Sequence, residues 1–159
     1  HLDTLDRPVD AGSSEPVRLG RFQLLEPLGS GGFGTVWKAR DLTLGRTVAV
    51  KQPHSGRLAA EDAGLLLREA RAAAGLRHPN IVRLHDVAVD ESRPYIVYDY
   101  VEGVSLHQRL ASTPSTPRQA AELCAKIADA VHHAHERGVI HRDLKPGNVL
   151  VDGDGEPHV

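Results

Sequence analysis

The sequence has too few cysteines for a disulfide within the chain and no apolar run long enough to span a membrane. It contains one cysteine, Cys124, and no methionine among 159 residues. A single cysteine excludes an intrachain disulfide and fits a reducing compartment, and we expect Cys124 to be a small buried residue on a helix. No apolar run approaches the ~20 residues of a membrane span. We therefore expect a cytoplasmic segment, which leaves open whether a parent protein is membrane-anchored elsewhere.

Neither sign of charge is in clear excess. The 19 Lys and Arg residues nearly balance the 21 Asp and Glu residues, so the formal net charge is -2. This balance gives no broad positive surface for nucleic acid or membrane. With 40% hydrophobic residues the composition is that of an ordinary globular protein. We expect no nucleic-acid partner and no membrane contact from this segment.

The first hundred residues alternate between short apolar strands and one helix. Residues 1–20 mix Pro, Gly, Ser and acids without a period, which predicts a flexible leader. Residues 59–76 are rich in Ala, Leu, Glu and Arg, which predicts a helix. The five predicted strands cover residues 21–29, 35–41, 47–52, 78–89 and 94–103. Together they indicate a small, mostly antiparallel sheet with one helix on it.

The remaining residues are mostly helical in pattern. "SLHQRLAS" predicts a short helix, and residues 118–138 predict a long amphipathic helix that ends near Gly138. Its apolar stripe consists of Leu123, Ile127, Val131 and Ala134. "VLVDGDGEPHV" then predicts two short strands around an Asp-Gly turn.

The first motif with chemical meaning is "LGSGGFGTVWKA", in which Gly29, Gly31 and Gly34 have the spacing G-x-G-x-x-G. Glycines allow a backbone to approach phosphates closely and to direct N–H groups at them. A dinucleotide-binding fold uses the same spacing, but a helix must then follow the glycines. "TVWK" is strand-like instead, so we favour a hairpin lying over a nucleotide, with a plain flexible turn as the alternative.

The second motif is a lysine within the strand "VAVK". Lys51 lies in an apolar context, where an unpaired charge is costly to bury. The helix that follows offers Glu61 and Glu69, and the apolar neighbours of Glu69 allow it to face the sheet. A pair between Lys51 and Glu69 would direct the ammonium at phosphate oxygens.

The third motif is the loop "HRDLKPGN", residues 141–148. A carboxylate at Asp143 can accept a hydroxyl proton. The amide oxygen of Asn148 can bind Mg²⁺, and Lys145 can neutralise charge on a transferring phosphoryl group. A polar surface loop is the alternative interpretation.

In this order the three motifs resemble the eukaryotic-like (Hanks-type) serine/threonine protein kinases, from about Arg21 to Val159. Lys145 is typical of the serine/threonine branch, and "LRHPNIVRLHDV" resembles the bacterial members. The resemblance implies an α+β, bilobal kinase-like fold with a complete small lobe of five antiparallel strands plus one helix. Residues 21–102 would form this lobe with its glycine-rich loop and hinge, and residues 103–159 the first part of the helical large lobe.

The resemblance also implies a role for each matching residue, with ATP and Mg²⁺ as cofactors and a protein bearing Ser or Thr as substrate. The implied catalytic residues are Asp143, Lys51, Glu69 and Lys145, and the implied Mg²⁺ ligand is Asn148. Tyr98 would be the gatekeeper. The implied nucleotide-binding residues are Leu28, Gly29, Ser30, Gly31, Gly32, Phe33, Gly34, Val36, Ala49, Lys51, Asp99, Val101 and Leu150.

The family pattern places a second Mg²⁺ ligand, the Asp of a D-F-G motif, at position 161. We therefore expect residues 1–159 to be inactive alone, while a longer parent transfers the ATP γ-phosphate to Ser or Thr hydroxyls. One alternative is a nucleotide-binding pseudokinase or scaffold, which a non-acidic residue at position 161 would favour. Another is a small-molecule kinase, against which Lys145 argues.

Overall fold

The larger of two sheets has six antiparallel strands in the order β1-β2-β3-β4-β6-β5. The structure, a computed structural model, describes residues 17–31, 34–53, 70–71, 73–90 and 93–159. The strands are β1 (Arg18–Leu19), β2 (Phe22–Gly31), β3 (Gly34–Asp41), β4 (Arg46–Gln52), β5 (Leu84–Asp90) and β6 (Arg93–Asp99). The predicted antiparallel sheet is confirmed, with one short strand more than expected.

That extra strand lies inside the predicted leader. Arg18 and Leu19 pair with Gln23 and Phe22 of β2, and Leu19 is buried. The sheet thus begins before residue 21, because an apolar residue at position 19 can be covered by the neighbouring strand.

The strand predicted for residues 78–89 was too long, since β5 begins only at Leu84. The preceding loop bonds to the end of the chain instead. Val82 N–H donates to the Val159 carbonyl over 2.9 Å, and Val159 N–H donates to the Asn80 carbonyl over 2.9 Å. The buried amide of Asn80 also donates to the Pro157 carbonyl over 2.8 Å. Backbone groups already bonded in this way cannot join the larger sheet.

One face of the sheet carries the main apolar core. Along β4, Val48 and Val50 are fully buried, whereas Ala49 and Lys51 point to the opposite face because side chains alternate along a strand. Burial of each large side chain contributes roughly 1.5–3 kcal/mol. The buried residues of this core are Leu19, Phe22, Ala39, Val48, Val50, Tyr95 and Val97.

The opposite face carries a second, smaller cluster. Ala70 is helical and packs, buried, against Leu84 and Ile96. The predicted helix ends earlier than residue 76, since residues 74 and 75 form a turn. Its first part, residues 59–69, lies outside the described residues.

The second sheet has three antiparallel strands, β7 (Gly103–Ser105), β8 (Leu150–Asp152) and β9 (Pro157–His158). Two α-helices, α1 (Leu106–Ser112) and α2 (Pro117–His135), and a 3-10 turn (Pro146–Asn148) lie between β7 and β8 in the chain. Each begins with a capping box, Ser105 with Gln108 and Thr116 with Gln119. No helix in the described part of the chain combines the length and apolarity needed to cross a bilayer.

The apolar stripe of α2 is only partly covered. Leu123 and Ile127 pack against a core of Leu106, Val149 and Val151. Cys124 is exposed, so the prediction that it is buried was wrong. The residue follows Leu123 directly and is therefore turned about 100° around the helix from the packed side.

Candidate active site

The glycine-rich motif forms the hairpin between β2 and β3, closed by the pair Gly31 and Gly34. A Cβ at Gly34, where φ is +137°, would lie 2.2 Å from the Gln52 carbonyl oxygen, so only glycine fits. A Cβ at Gly29 or Gly31 would meet nothing within 4 Å. The hairpin therefore needs Gly34 for its own geometry and leaves open space at the other two glycines. Gly32 and Phe33 lie outside the described residues.

Three predicted nucleotide-binding residues share the sheet face opposite the main core. Lys51 pairs in register with Val36 on one side and with Ile96 on the other. Ala49 lies two residues before Lys51 and therefore points the same way. Leu28, in an irregular part of β2, is half-exposed. The structure brings Val36, Ala49 and Lys51 together.

The predicted partner of Lys51 cannot be placed, since Glu69 lies outside the described residues. The adjacent Ala70 packs against Ile96, the register partner of Lys51. The helix thus contacts the face of the sheet that carries Lys51, and the pair between Lys51 and Glu69 stays a prediction.

The predicted hinge begins at the end of β6. Tyr98 pairs with Ala49, and burial raises the pKa of its hydroxyl. Asp99 N–H donates to the Arg83 carbonyl over 2.9 Å, which fixes the end of the strand. The Nζ of Lys38 lies 5.0 Å from the centroid of the Tyr100 ring. The sequence analysis did not identify Lys38. Its position two residues after Val36, which places both side chains on one face of β3, was the only indication in the sequence.

The loop of residues 141–148 brings its three predicted residues into direct contact. Lys145 Nζ donates to both carboxylate oxygens of Asp143, over 3.0 and 2.8 Å. Asn148 Nδ2 donates to the Asp143 carbonyl over 2.8 Å and to its Oδ2 over 2.9 Å. The turn needs a left-handed backbone at Arg142, where φ is 62°. That conformation is uncommon outside glycine and is found at functional sites.

The electrostatics of this loop favour an ionised Asp143. The hydrogen bond from Lys145, followed by that from Asn148, holds the pKa of the Asp143 carboxyl below its ordinary value. The side chain is nonetheless 47% exposed, so a substrate group can reach it. Chemically, the loop presents a charged acceptor beside a cation and an amide.

The predicted floor of the adenine pocket also lies near this loop. Leu150 follows Asn148 by two residues and begins β8, where it pairs with Ser105 and His158. It is half-buried. Its contact with adenine stays a prediction.

A cleft of about 630 Å³ lies on another side of the hinge. Its walls include residues 76–79, 81–83 and 152–154 together with Asp99 and Val101. Neither the glycine hairpin nor Lys51 nor Asp143 lines it. We do not assign it to the nucleotide, because the groups that can bind phosphate lie elsewhere.

Sequence reasoning also missed a run of ionic groups beside the hinge. The fully buried Asp41 accepts from Arg21 Nε over 3.3 Å, and Arg46 Nε lies 3.9 Å from the same carboxylate. His85 contacts both Arg46 and Asp99. Asp41 and Arg46 face each other across the hairpin between β3 and β4, whereas Arg21, His85 and Asp99 are far from them in sequence and are brought there by the strand order.

The architecture is similar to that of a solved structure. The chain superposes on the structure titled "PpkA-294 apo form" with a TM-score of 0.80 at 23% identity, over 90% of this chain and 58% of that chain. The likeness supports the predicted α+β fold, and together with the family match below it shows that the fold is kinase-like.

The family follows from sequence comparison. The model of the protein kinase domain matches residues 22–159, so the chain belongs to the protein kinase family. The serine/threonine-protein kinase PrkC of Bacillus subtilis is 39% identical over 86% of this chain, and pkn2 of Myxococcus xanthus is 41% identical over 83%. CBL-interacting protein kinase 4 of Oryza sativa subsp. japonica is 42% identical over 89%. The predicted resemblance to bacterial-type serine/threonine kinases is confirmed.

The chain spans 21% of the length of PrkC, 16% of pkn2 and 32% of the rice kinase. Activity, substrate and partners of a whole protein are therefore inferred from the site.

Proposed function

We propose that this chain provides the nucleotide-binding lobe and catalytic loop of a protein serine/threonine kinase. The reaction transfers the γ-phosphate of ATP to a Ser or Thr hydroxyl of a protein substrate, and protein kinases generally use ATP with Mg²⁺. The small lobe corresponds to residues 18–102, since β1 extends it beyond the predicted start at residue 21, and residues 103–159 form the first part of the large lobe. The observation that carries the proposal is the contact of Asp143 with Lys145 and Asn148.

The nucleotide lies on the sheet face that carries Val36, Ala49 and Lys51, under the glycine hairpin. The open space at Gly29 and Gly31 supports this placement, since a Cβ there meets no protein atom within 4 Å. Backbone N–H groups of such a hairpin can approach phosphate oxygens closely. Lys51 contacts the α- and β-phosphates, and the Asp99 carbonyl and Val101 N–H hold the adenine.

The donor set of the catalytic loop fits Mg²⁺. The Nδ2 of Asn148 donates to Asp143, which leaves the Oδ1 of the same amide as an oxygen ligand. Oxygen ligands are those that Mg²⁺ prefers. When bound, the ion neutralises charge on the β- and γ-phosphates.

Asp143 orients the substrate hydroxyl and accepts its proton. Because its pKa is held below the ordinary carboxyl value, chiefly by Lys145, the carboxylate is a weak base at neutral pH. It therefore acts mainly by positioning the hydroxyl and accepts the proton late, as phosphoryl transfer proceeds. Lys145 lies close enough to Asp143 to contact the γ-phosphate as well.

The test compares Lys51→Ala with Lys126→Ala, a change of another lysine that lies on α2 and pairs with Glu156. We expect Lys51→Ala to lower phosphate transfer from ATP to a Ser/Thr-containing protein about a hundredfold or more, because it removes a cation from the phosphates. Lys126→Ala should retain wild-type transfer. Radiolabel transfer is measured for the wild type and both variants in the full-length protein. Unchanged transfer in full-length Lys51→Ala would contradict the proposal.

A further inference from the structure

A β-bulge in β5 lies beside the hinge. Leu84 pairs with Tyr98 and Asp86 with Val97, so His85 is the extra residue between two consecutive partners on β6. Bulges redirect a side chain and are frequent next to active sites. His85 is accordingly turned towards the end of β6, and its side chain is only 12% exposed.

The redirected imidazole contacts the first residue of the hinge. His85 Nε2 lies within hydrogen-bond distance of Asp99 Oδ1. The Asp99 backbone is held by its N–H to the Arg83 carbonyl and by pairing with Val48. The Asp99 side chain is 52% exposed, so without His85 it would be free to rotate in solvent.

A second group competes for the same ring nitrogen. Arg46 Nη1 lies 3.2 Å from His85 Nε2. A guanidinium only donates hydrogen bonds and a carboxylate only accepts them. Nε2 can therefore bond to Asp99 when it carries a proton, or to Arg46 when it does not. The closer approach of Asp99 assigns the proton to Nε2.

We propose that His85 is a positioning residue for nucleotide binding. Its Nε2–H donates to the Asp99 carboxylate and thereby fixes the position of the hinge. Arg46 is the alternative partner of the same ring nitrogen. The inference rests on the proposed function, since the Asp99 carbonyl and Val101 N–H are the groups that bind adenine. His85 contacts Asp99 through the side chain, and the backbone of the same residue carries the effect to the nucleotide.

Two variants of His85 distinguish a hydrogen-bonding role of the side chain from a packing role. His85→Ala removes the bond, and we expect the dissociation constant of a fluorescent ADP analogue to rise about tenfold. His85→Gln supplies an amide whose NH₂ can donate to Asp99 and whose oxygen can accept from Arg46, so it should bind within about twofold of wild type. His107→Gln changes an exposed histidine on α1 and is the matched control.

The protonation of His85 is measured directly by nitrogen NMR on the nucleotide-free chain. We expect a proton on Nε2 in the wild type and its transfer to Nδ1 in Asp99→Ala, because Arg46 then donates to Nε2. This spectrum tests the pair of His85 and Asp99 without any nucleotide.

Each outcome decides between the alternatives. Unchanged binding by His85→Ala, equally weak binding by both His85 variants, or a wild-type Nε2 without a proton would overturn the positioning role and leave nucleotide binding standing. Absence of nucleotide binding in the wild type would overturn the proposed function and the positioning role together.

Discussion

The six-stranded sheet and the loop of residues 141–148 are built by opposite means. In the sheet, Phe22 and Val50 are fully buried, and Phe22 packs edge-on to Tyr95 with ring centroids 5.9 Å apart. In the loop, Asp143 and Lys145 are held by hydrogen bonds while their side chains remain 47% and 57% exposed. The sheet is stabilised by apolar burial, and the loop is ordered by polar contacts that solvent can reach.

Because of this difference, the sheet determines the stability of the protein and the loop determines its reactivity. Apolar burial contributes roughly 1.5–3 kcal/mol per large side chain but provides no reactive group. Exposed ion pairs contribute little to stability yet set the charge and orientation of a reactive carboxylate. A change in the sheet should therefore alter the free energy of unfolding, and a change in the loop should alter the reaction.

The largest expected effect is on the reaction. Asp143→Asn removes the anionic acceptor but preserves the size of the side chain, and we expect phosphate transfer by the full-length protein to fall about a thousandfold or more. The midpoint of thermal unfolding should stay close to that of wild type, because the side chain is half-exposed. Radiolabel transfer and calorimetry measure the two quantities.

Asp154→Asn, in the turn between β8 and β9, is the control for the same chemical change. It should alter neither transfer nor stability. Retention of more than a tenth of the wild-type transfer by Asp143→Asn would show that this carboxylate is not the group that receives the hydroxyl.

The next effect is on stability. Phe22→Ala empties part of the main core, and we expect a loss of about 4 kcal/mol in the free energy of unfolding. Leu44→Ala, at a leucine that is 60% exposed, should change it by less than about 0.5 kcal/mol. Urea denaturation of the chain measures both. A loss below about 1 kcal/mol for Phe22→Ala would place the stabilising core elsewhere.

The smallest expected effect is the different response of the two regions to salt, measured as the carboxyl pKa of Asp143 in the loop and of Asp41 in the sheet. The pKa of Asp143 is lowered mainly by the hydrogen bond from Lys145. For Asp41, burial by itself raises the pKa, but the N–H groups of Leu44 and Thr43 together with Arg21 outweigh it and lower the pKa. Each carboxylate therefore adds stability above the ordinary carboxyl pKa of about 3.9, and that stability is lost as the pH falls through the folded pKa.

Carbon NMR titration of both carboxyls at low salt and in 1 M NaCl measures the difference. At 1 M salt the screening length is about 3 Å. We expect the pKa of the exposed Asp143 to rise towards its ordinary value and that of the buried Asp41 to stay unchanged. Equal shifts of both groups would contradict the contrast between the regions.

Several features were predictable because they depend on residues close in sequence. The alternating, β-branched run "TVAVKQ" predicted a strand that carries Lys51, and the structure confirms the strand. The structure adds that Lys51 lies on the face opposite Val48 and Val50. The spacing of Asp143, Lys145 and Asn148 predicted that they lie in one loop, and a loop of eight residues leaves them little room to separate. Glu69 and Phe33 stay predictions, since the described residues do not include them.

The errors have physical causes. Cys124 was expected to be buried because cysteine is often buried, but the side of α2 that packs is set by Leu123 and Ile127. "HPNIVR" has the composition of a strand, yet Asn80 and Val82 bond to Val159. In both cases a tertiary contact, which propensity does not contain, decided the outcome.

The sequence by itself determined the family, the strand faces and the members of the catalytic loop, because local spacing fixes which side chains share a face or a turn. Only the tertiary structure decided that His85, Arg46 and Asp99 meet. They lie on β5, β4 and the end of β6, and strand order and a one-residue bulge bring them to one ring nitrogen. Contacts between strands that are distant in the sequence depend on the register of strand pairing, and that register is set by the packing of the whole sheet.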